Sequence, residues 1–211
     1  MAGTYGDLQA QIALDLRRSN LTAEIKTAIL DAIADHDGER FWFNELSQYT
    51  MVVTADDTTL VPQAPIQEFI KIDMIRARPN AASGTWYTLI GEESEEIDVL
   101  RSQPSSGQPA RWALLGNVLQ IWPTPITGGH ALKIFGHYRL TPLVNDTDQN
   151  YWTNSSVKNL IRYTALKRLF VTPIRDAVQM ASMEAAGMRE LEFIRRETER
   201  RNRMGVMKAY G

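Results

Sequence analysis

Three histidines are the residues best suited to acid–base or metal chemistry, but their spacing keeps them apart. His36 stands between Asp35 and Asp37, and adjacent helical residues point in different directions, so these three cannot close on one ion. His130 and His137 bracket a strand-like segment and are too far apart along it to share a metal. The chain has no cysteine, which excludes a thiolate zinc site, a disulfide framework and a cysteine nucleophile. We therefore expect neither a metal nor a cofactor.

Carboxylates offer a second kind of chemistry, because glycoside hydrolysis needs two acids about 5–10 Å apart, one of them in an apolar pocket. Glu39 and Glu45 flank the aromatic run 41–43, where an acid could have a raised pKa, but aromatic side chains more often fill a core. The densest acidic group is Glu92, Glu93, Glu95 and Glu96. So polar a group is typical of a solvated loop. Phosphate-binding, dinucleotide-binding and serine-nucleophile motifs are absent, and we predict that the chain is not an enzyme.

A basic group near the C-terminus points instead to a docking surface. Its members are Arg195, Arg196, Arg200, Arg201 and Arg203. Glutamates at 192, 197 and 199 precede arginines by four residues, the favourable order for ion pairs on a helix, each worth about 0.2–0.5 kcal/mol. These acids weaken the positive field. Docking to an acidic protein surface or to another copy of the chain is therefore favoured over DNA binding.

Charge is unevenly distributed along the 211 residues. Residues 1–155 carry 11 basic and 19 acidic side chains, whereas residues 156–211 carry 12 and 6. This uneven charge is typical of two surfaces that face different partners, although helices are often rich in Arg and Glu whatever their function. The net charge of −2 excludes a polycation that coats nucleic acid. No apolar run approaches the roughly 20 residues of a membrane span, and the N-terminus does not resemble a signal peptide, so we expect a soluble protein made inside the cell.

The periodicity of apolar residues predicts a helical hairpin over about 4–43. Thr4 and Asp7 have the spacing of a capping box, and Asn20 or Thr22 can cap the second helix. The first helix has an apolar face of Tyr5, Leu8, Ile12 and Leu16; the second has Ile25, Ile29 and Ile33, with Ala28 and Ala32 beside them.

Short β-branched and aromatic runs separated by turn residues predict antiparallel strands over about 44–148. Gly116-Asn117 marks a tight hairpin between two of these runs. The acidic stretch 92–98 is interpreted as a loop or a single helical turn. The zone predicts a small β-sandwich or an open barrel.

Helical periodicity returns over about 152–208. Ser155 or Ser156 can cap a helix that runs to about Phe170, and Pro173 suits the first turn of the next. The apolar stripe of that last helix is Ile174, Val178, Ala181, Ala185, Met188 and Leu191. The predicted fold is α+β, a helical bundle with an inserted antiparallel β-sandwich or open barrel. The helical domain comprises 1–43 and 152–211, and the insertion comprises 44–151.

Several segments in this order resemble head–tail adaptor proteins of tailed bacteriophages, which are also called head-completion or connector proteins and are related to the tail accessory factor of short-tailed phages. The segments are Leu21–Lys26, Arg40–Glu45, Pro65 with Glu68–Asp73, Leu119–Pro125, Tyr138–Leu143 and Asn150–Thr153.

The resemblance implies a structural virion protein at the neck of the particle, made and assembled in the host cytoplasm. It implies a homo-oligomeric ring, commonly of twelve copies, that joins the portal to the tail or the next connector and extends a channel for double-stranded DNA without sequence-specific binding. The C-terminal segment would then contact the portal or a neighbouring subunit, through the arginines named above together with Lys208 and Tyr210. Acids that could face the channel or tail are Asp56, Asp57, Glu92, Glu93, Glu95 and Glu96.

Two other functions stay open from the sequence. The basic C-terminal helix could bind DNA without sequence preference, in which case duplex binding should depend steeply on salt. A cell-wall glycosidase of the tail is the less favoured alternative, and no particular acid pair stands out for it.

Overall fold

A computed structural model describes residues 3–55, 59–61, 68–79, 83–103, 105–126 and 129–207, with side chains at 47, 48 and 204–207 excepted. In chain order the elements are α1 (Tyr5–Leu16), α2 (Thr22–His36), β1 (Glu45–Val53), β2 (Thr59–Leu60), β3 (Glu68–Arg78), β4 (Tyr87–Thr88), β5 (Ile90–Gly91), α3 (Ser94–Arg101), β6 (Arg111–Leu115), β7 (Val118–Trp122), β8 (His130–Arg139), a 3₁₀ turn (Tyr151–Thr153), α4 (Lys158–Val171) and α5 (Ala177–Met207).

The chain forms two compact units, and the predicted α+β class is confirmed. One unit, the helical unit, comprises residues 1–43 and 140–211; the other, the β unit, comprises residues 44–139. Residues 140–151, which the sequence pattern assigned to the insertion, cluster with the helices. Backbone hydrogen bonds explain why, since Tyr5 donates to the carbonyl of Asp148 at 2.9 Å and Gly6 to that of Asp146 at 2.8 Å.

The capping box predicted at the start of α1 is confirmed. The Thr4 hydroxyl accepts from the Asp7 amide at 3.1 Å, and the Asp7 carboxylate accepts from the Thr4 amide at 2.8 Å. These bonds favour the ionised carboxylate and lower the pKa of Asp7. The predicted apolar face is buried at Tyr5, Leu8 and Ile12, while Leu16 is half-buried.

Helix α4 is the centre of the helical unit and contacts the other three long helices. Its buried side chains include Leu160, Ile161, Ala165, Leu166 and Leu169. Three of its cations each reach a different helix. Arg162 donates two hydrogen bonds of 2.6 Å to Asp15 of α1. Arg168 donates to Asp35 of α2 at 2.7 Å. The Nζ atom of Lys167 lies 2.6 Å from a carboxylate oxygen of Glu184 of α5.

An aromatic cluster packs beside these helices. The ring of Phe43 stacks on Tyr151 at 5.2 Å between centroids and meets the edge of Trp152 at 5.0 Å, while Phe41 meets Trp152 at 5.9 Å. Trp152 and Phe41 are fully buried. Such offset and edge-on contacts are the favourable geometries for aromatic pairs. The interpretation of the aromatic run 41–43 as core is confirmed for Phe41 and Phe43, which are buried, whereas Trp42 is half-buried and Tyr151 is 41% exposed.

Three predicted helix starts differ from those observed. Helix α2 has Leu21 as its cap and no side-chain capping bond, so neither Asn20 nor Thr22 caps it. Helix α4 has Val157 as its cap and no side-chain capping bond, so neither serine caps it. In the turn before it, the side chain of Asn154 accepts from the Ser156 amide at 3.2 Å.

Helix α5 begins at Ala177, four residues after Pro173, and the Asp176 carboxylate accepts from the amides of residues 178 and 179 at 3.1 and 3.0 Å. An acidic cap outweighs the proline signal because it satisfies two amides that have no helical partner.

The β unit consists of two open four-stranded sheets, in the orders β1-β8-β3-β4 and β2-β7-β6-β5. One apolar cluster contains side chains from both sheets, among them Ile75, Leu132 and Ile134 of the first and Leu119 and Ile121 of the second. The sheets are not closed into a barrel, so the sandwich alternative describes the unit.

The Gly116-Asn117 hairpin is confirmed, with Leu115 opposite Val118 and a φ of +59° at Gly116. This is the left-handed region that glycine adopts without steric cost.

The acidic stretch is a correction to the sequence analysis, because residues 94–101 form the two-turn helix α3 rather than a loop or single turn. Helix α3 connects β5 to β6, which pair in parallel, whereas antiparallel strands were predicted throughout. Parallel neighbours require such a crossover.

Gly136 of β8 lies where strand β3 carries irregularities in its pairing. A Cβ atom built on Gly136 would lie 2.1 Å from the backbone oxygen of Lys71. The close approach of these two strands therefore requires glycine.

Candidate interaction surfaces

Arg195, the first residue of the predicted docking surface, forms an ion pair within the molecule. The Arg195 guanidinium donates to both carboxylate oxygens of Glu39, with Nε–Oε1 at 2.5 Å and Nη2–Oε2 at 2.8 Å. Glu39 follows α2, so the pair ties the end of the helical hairpin to α5. These bonds raise the pKa of Arg195 above its ordinary value. Arg195 is consequently less available to an external partner than the sequence indicated.

Trp42 forms a second attachment point for α5. Its amide donates to the Thr198 hydroxyl at 3.3 Å, and the guanidinium carbon of Arg201 lies 4.8 Å from the centroid of its ring. The Thr198 hydroxyl in turn donates to the Ile194 carbonyl at 2.9 Å, and both residues are buried. A cation over an indole face is worth about 0.5–1 kcal/mol at an exposed site. Arg201 thus helps to hold α5 against residues 39–43.

Glu197 neutralises the middle of the basic group. Arg200 donates to it at 2.7 and 2.8 Å and Arg201 at 2.7 Å, and these bonds lower the pKa of Glu197 to about 2. Glu192 accepts from Arg196 four residues on.

Arg196 and Arg203 have the most exposed side chains of the group, 74% and 83%, and Arg203 lies 4.0 Å from Glu199. Both arginines lie on the side of α5 opposite Thr198, the residue that contacts Trp42. Lys208 and Tyr210 lie outside the described residues.

The apolar stripe predicted on α5 points largely to solvent. Val178 is 79% exposed and Met188 63% exposed, and Ala181 and Ala185 are also exposed. We call these four residues the outer stripe. Ile174 and Leu191 are only half-buried.

The face of α5 that packs on α4 is a different one. Gly187 on that face is buried, and a Cβ atom there would lie 3.7 Å from Cβ of Tyr163.

A groove lies between α2 and the end of α4, with a volume of about 750 Å³. We call it the α2–α4 groove. Eight of its thirteen lining residues are small or apolar: Ala23, Thr27, Ala28, Thr164, Leu169, Val171, Thr172 and Pro173. Lys167 and Arg168 are the two cations of the lining. Glu24, Asp31 and Asp35 add acidity, and the last two pair with Arg168. The sequence carried no signal for the groove, because it exists only where two distant helices diverge.

The predicted acidic surface is described only in part, since Asp56 and Asp57 lie outside the described residues. Glu93, Glu95 and Glu96 are exposed at the start of α3. Glu92 forms an ion pair with Arg111 and a hydrogen bond with Glu96, which raises the pKa of Glu96. Acidic side chains near a helix N-terminus interact favourably with the helix dipole, so these acids also stabilise α3.

A basic row on the first sheet of the β unit escaped the sequence analysis. Lys133 of β8 lies directly opposite Arg76 of β3, flanked by Thr50 of β1 and Thr88 of β4. The Nζ atom of Lys133 and the guanidinium carbon of Arg78 lie 5.0 and 4.8 Å from the centroid of the Trp86 ring. The basic residues Arg76 and Arg78, two positions apart, indicated one exposed face of the strand. The sequence did not indicate which residues of β8 lie opposite them.

His36 belongs to the helical unit, and His130 and His137 belong to the β unit. His36 lies 3.4 Å from the Thr164 hydroxyl, and burial lowers the pKa of its ring. His130 and His137 are buried at opposite ends of β8. Within the part of the chain that the structure describes, no three histidine, aspartate or glutamate side chains are grouped so that they could hold a metal ion. None of the helices described is both long and apolar enough to cross a membrane.

The helical unit therefore exposes an apolar helix stripe, a groove and a charged helix segment. A family model described as SU10 adaptor protein matches residues 3–208. The chain therefore belongs to the SU10 adaptor protein family, and the resemblance to phage head–tail adaptors is confirmed at the level of the family. It is a structural bacteriophage adaptor and a component of the virion. A search of curated proteins found no match.

Proposed function

We propose that copies of this chain form a ring of twelve between the portal and the tail, or the next connector, at the neck of the phage particle. Membership of an adaptor family over residues 3–208 is the observation that carries the proposal. The exposed outer stripe of α5 supports it, because isolated helical units rarely leave a continuous apolar face uncovered without a partner.

The C-terminal part of α5 is the proposed portal contact. Arg196, Arg200 and Arg203 are its exposed cations, and Lys208 and Tyr210 extend the same segment. Arg195 and Arg201 have a different role in this scheme, since their contacts with Glu39 and Trp42 fix the direction of the helix. The helix can therefore project a charged end from a fixed base.

The ring would extend the channel through which double-stranded DNA passes. A conduit must avoid tight binding to phosphate, since several cations directed inward would hold the duplex. The exposed acids Glu93, Glu95 and Glu96, with Asp56 and Asp57, are the proposed lining or tail-facing residues. The C-terminal arginines pair with glutamates, which weakens their attraction for DNA phosphate and so also fits a channel that must not hold the duplex.

Electron microscopy of the portal with and without this protein tests the proposal. We expect a ring of additional density on one face of the portal, with copies that can be counted by symmetry. Absence of that density at saturating protein would refute the adaptor role at the portal.

A charge-reversal pair tests the docking segment. Arg196→Glu with Arg203→Glu should abolish portal binding while leaving the melting temperature nearly unchanged, because both side chains are largely exposed. Arg17→Glu with Arg18→Glu is the matched control, since both side chains are exposed and lack ion-pair partners among the described residues. Equal portal binding by both double variants would refute docking through the end of α5.

A further inference from the structure

Two apolar surfaces of the helical unit are uncovered, one a ridge and the other a groove. The outer stripe is a ridge on α5 that spans 178–188, about 15 Å at 1.5 Å per residue. The α2–α4 groove is a depression of about 750 Å³. Val171, at the groove, is itself 50% exposed, which leaves apolar surface for an incoming side chain.

Unpaired charges on the two surfaces have opposite sign. Arg189 is exposed one residue after the end of the outer stripe and has no ion-pair partner among the described residues. Glu24 is exposed at the α2–α4 groove and is likewise unpaired within that part of the chain. The ridge therefore carries a free cation and the groove a free anion.

The exposed end of the outer stripe cannot enter the groove of its own molecule. Val178 and Ala185 lie on the side of α5 opposite Gly187, which packs on α4, whereas Met188 lies at the edge of the stripe and lines a small cavity beside α4. Helix α4 itself forms one wall of the groove. A second copy of the chain supplies the missing surface in each case.

We infer that the outer stripe of one copy docks in the α2–α4 groove of the next, with Arg189 of the first copy facing Glu24 of the second. The contact is heterologous, since it joins two different surfaces, and repetition of such a contact closes a ring when the rotation permits. The inference rests on the proposed function and assigns the subunit contact within it.

Blocking each surface separately gives the first test. Ala185→Glu with Met188→Glu places two acids on the outer stripe, and Ala23→Glu with Thr27→Glu places two acids in the groove. All four positions are exposed, so the helices should persist. Ala10→Glu with Leu14→Glu, on an exposed part of α1 outside both surfaces, is the matched control.

We expect each blocked variant alone to lose self-association by at least about tenfold, measured by mass photometry or sedimentation, alone and on the portal. The control should assemble as the original protein does. A mixture of the two blocked variants should stop at a one-to-one dimer, because one intact stripe and one intact groove remain. Normal assembly of either blocked variant, or of their mixture, would overturn the inference.

Cross-linking keeps the test decisive if a blocked variant misfolds. The natural chain contains no cysteine, so single introduced thiols react without background. Ala185→Cys mixed with Thr27→Cys should give a dimer with a short bismaleimide, and the chain that carries both substitutions should give a ladder of oligomers. Ala10→Cys mixed with Thr27→Cys should stay monomeric. No dimer from the first mixture, under conditions where the protein assembles, would overturn the inference.

The outcomes separate this inference from the proposed function. If the unmodified protein forms a ring on the portal and the blocked variants do so equally well, only the assigned contact is wrong. If the unmodified protein forms no oligomer, alone or on the portal, the proposed function and the assigned contact both fail.

Discussion

Arg195 and Glu39 are 156 residues apart in the chain and form a two-point ion pair, with nitrogen–oxygen distances of 2.5 and 2.8 Å. The pair joins the residues that follow α2 to the C-terminal half of α5. It acts together with Trp42, whose amide bonds to Thr198 and whose ring lies under Arg201. These contacts hold a highly charged helix segment in one direction, which an adaptor needs if that segment is to reach a partner.

The first prediction concerns the coupling between these two residues. Their side chains are 55% and 32% exposed, so solvent screens the attraction, and we expect a coupling energy of about 0.5–1 kcal/mol. A double-mutant cycle with Glu39→Gln and Arg195→Gln, followed by urea unfolding, measures it. The coupling should shrink in 1 M salt. A coupling near zero at low salt would contradict a role for this pair in holding α5.

The second prediction concerns two glycines with opposite surroundings. At Gly187, a Cβ atom would meet Tyr163 at 3.7 Å, an ordinary contact distance, so Gly187→Ala should stabilise the protein by about 0.5–1 kcal/mol through helix propensity.

At Gly136, the same atom would overlap the Lys71 carbonyl at 2.1 Å, so Gly136→Ala should destabilise the protein by about 1–3 kcal/mol or more. Thermal and urea unfolding of both variants provide the comparison, and a destabilised Gly187→Ala would show that α4 and α5 pack more closely than described.

The third prediction concerns acid pH. The pKa of Glu197 is about 2 in the folded protein, below its ordinary 4.5, because Arg200 and Arg201 donate to the carboxylate. A lowered folded-state pKa stabilises the fold above pH 4.5, and the contribution is lost as the pH falls from about 4.5 towards 2. The hydrogen-exchange protection factors of residues 192–203, which are corrected for the pH dependence of intrinsic exchange, should therefore fall in that window.

Glu197→Gln is the control for the third prediction. The variant should lose this part of the pH dependence while retaining any dependence that arises from Asp7 and Asp146, whose pKa values are also lowered. Identical acid profiles for the two proteins would contradict the assignment to Glu197.

The fourth prediction concerns the basic row of the β unit. Arg76 and Lys133 face each other across β3 and β8, and like charges in directly opposite positions are destabilising. Arg76→Glu should stabilise the protein by about 0.2–1 kcal/mol and leave the contact of Lys133 with Trp86 intact. Arg76→Gln should give a smaller gain, and both gains should fall with salt. Unfolding at two salt concentrations measures them; a loss of stability in both variants would contradict the repulsion.

Local features were predictable because neighbouring residues supply all of their contacts. The capping box needs only Thr4 and Asp7, and the hairpin needs only the turn at 116–117, where a glycine adopts a positive φ. The buried stripe of α1 also followed, because that helix has a single apolar face.

Helix α5 shows where local reasoning fails. Apolar residues occur on two sides of the helix, one with Val178, Ala185 and Met188 and the other with Gly187 and Ile194. Spacings of three and four residues fit both sides, so they do not indicate which one packs on a neighbour. Packing against α4 selects the second side, because a glycine there lets the helices approach closely. The first side is left exposed.

From its sequence alone, the chain determines its α+β class, most of its helices and strands, and its membership of the adaptor family, since each depends on residue types and short-range periodicity. Only the tertiary structure decided the pairing of Arg195 with Glu39, the parallel contact of β5 with β6, and which face of α5 is uncovered. Those features join residues far apart in the chain, and their positions depend on how whole helices and strands pack.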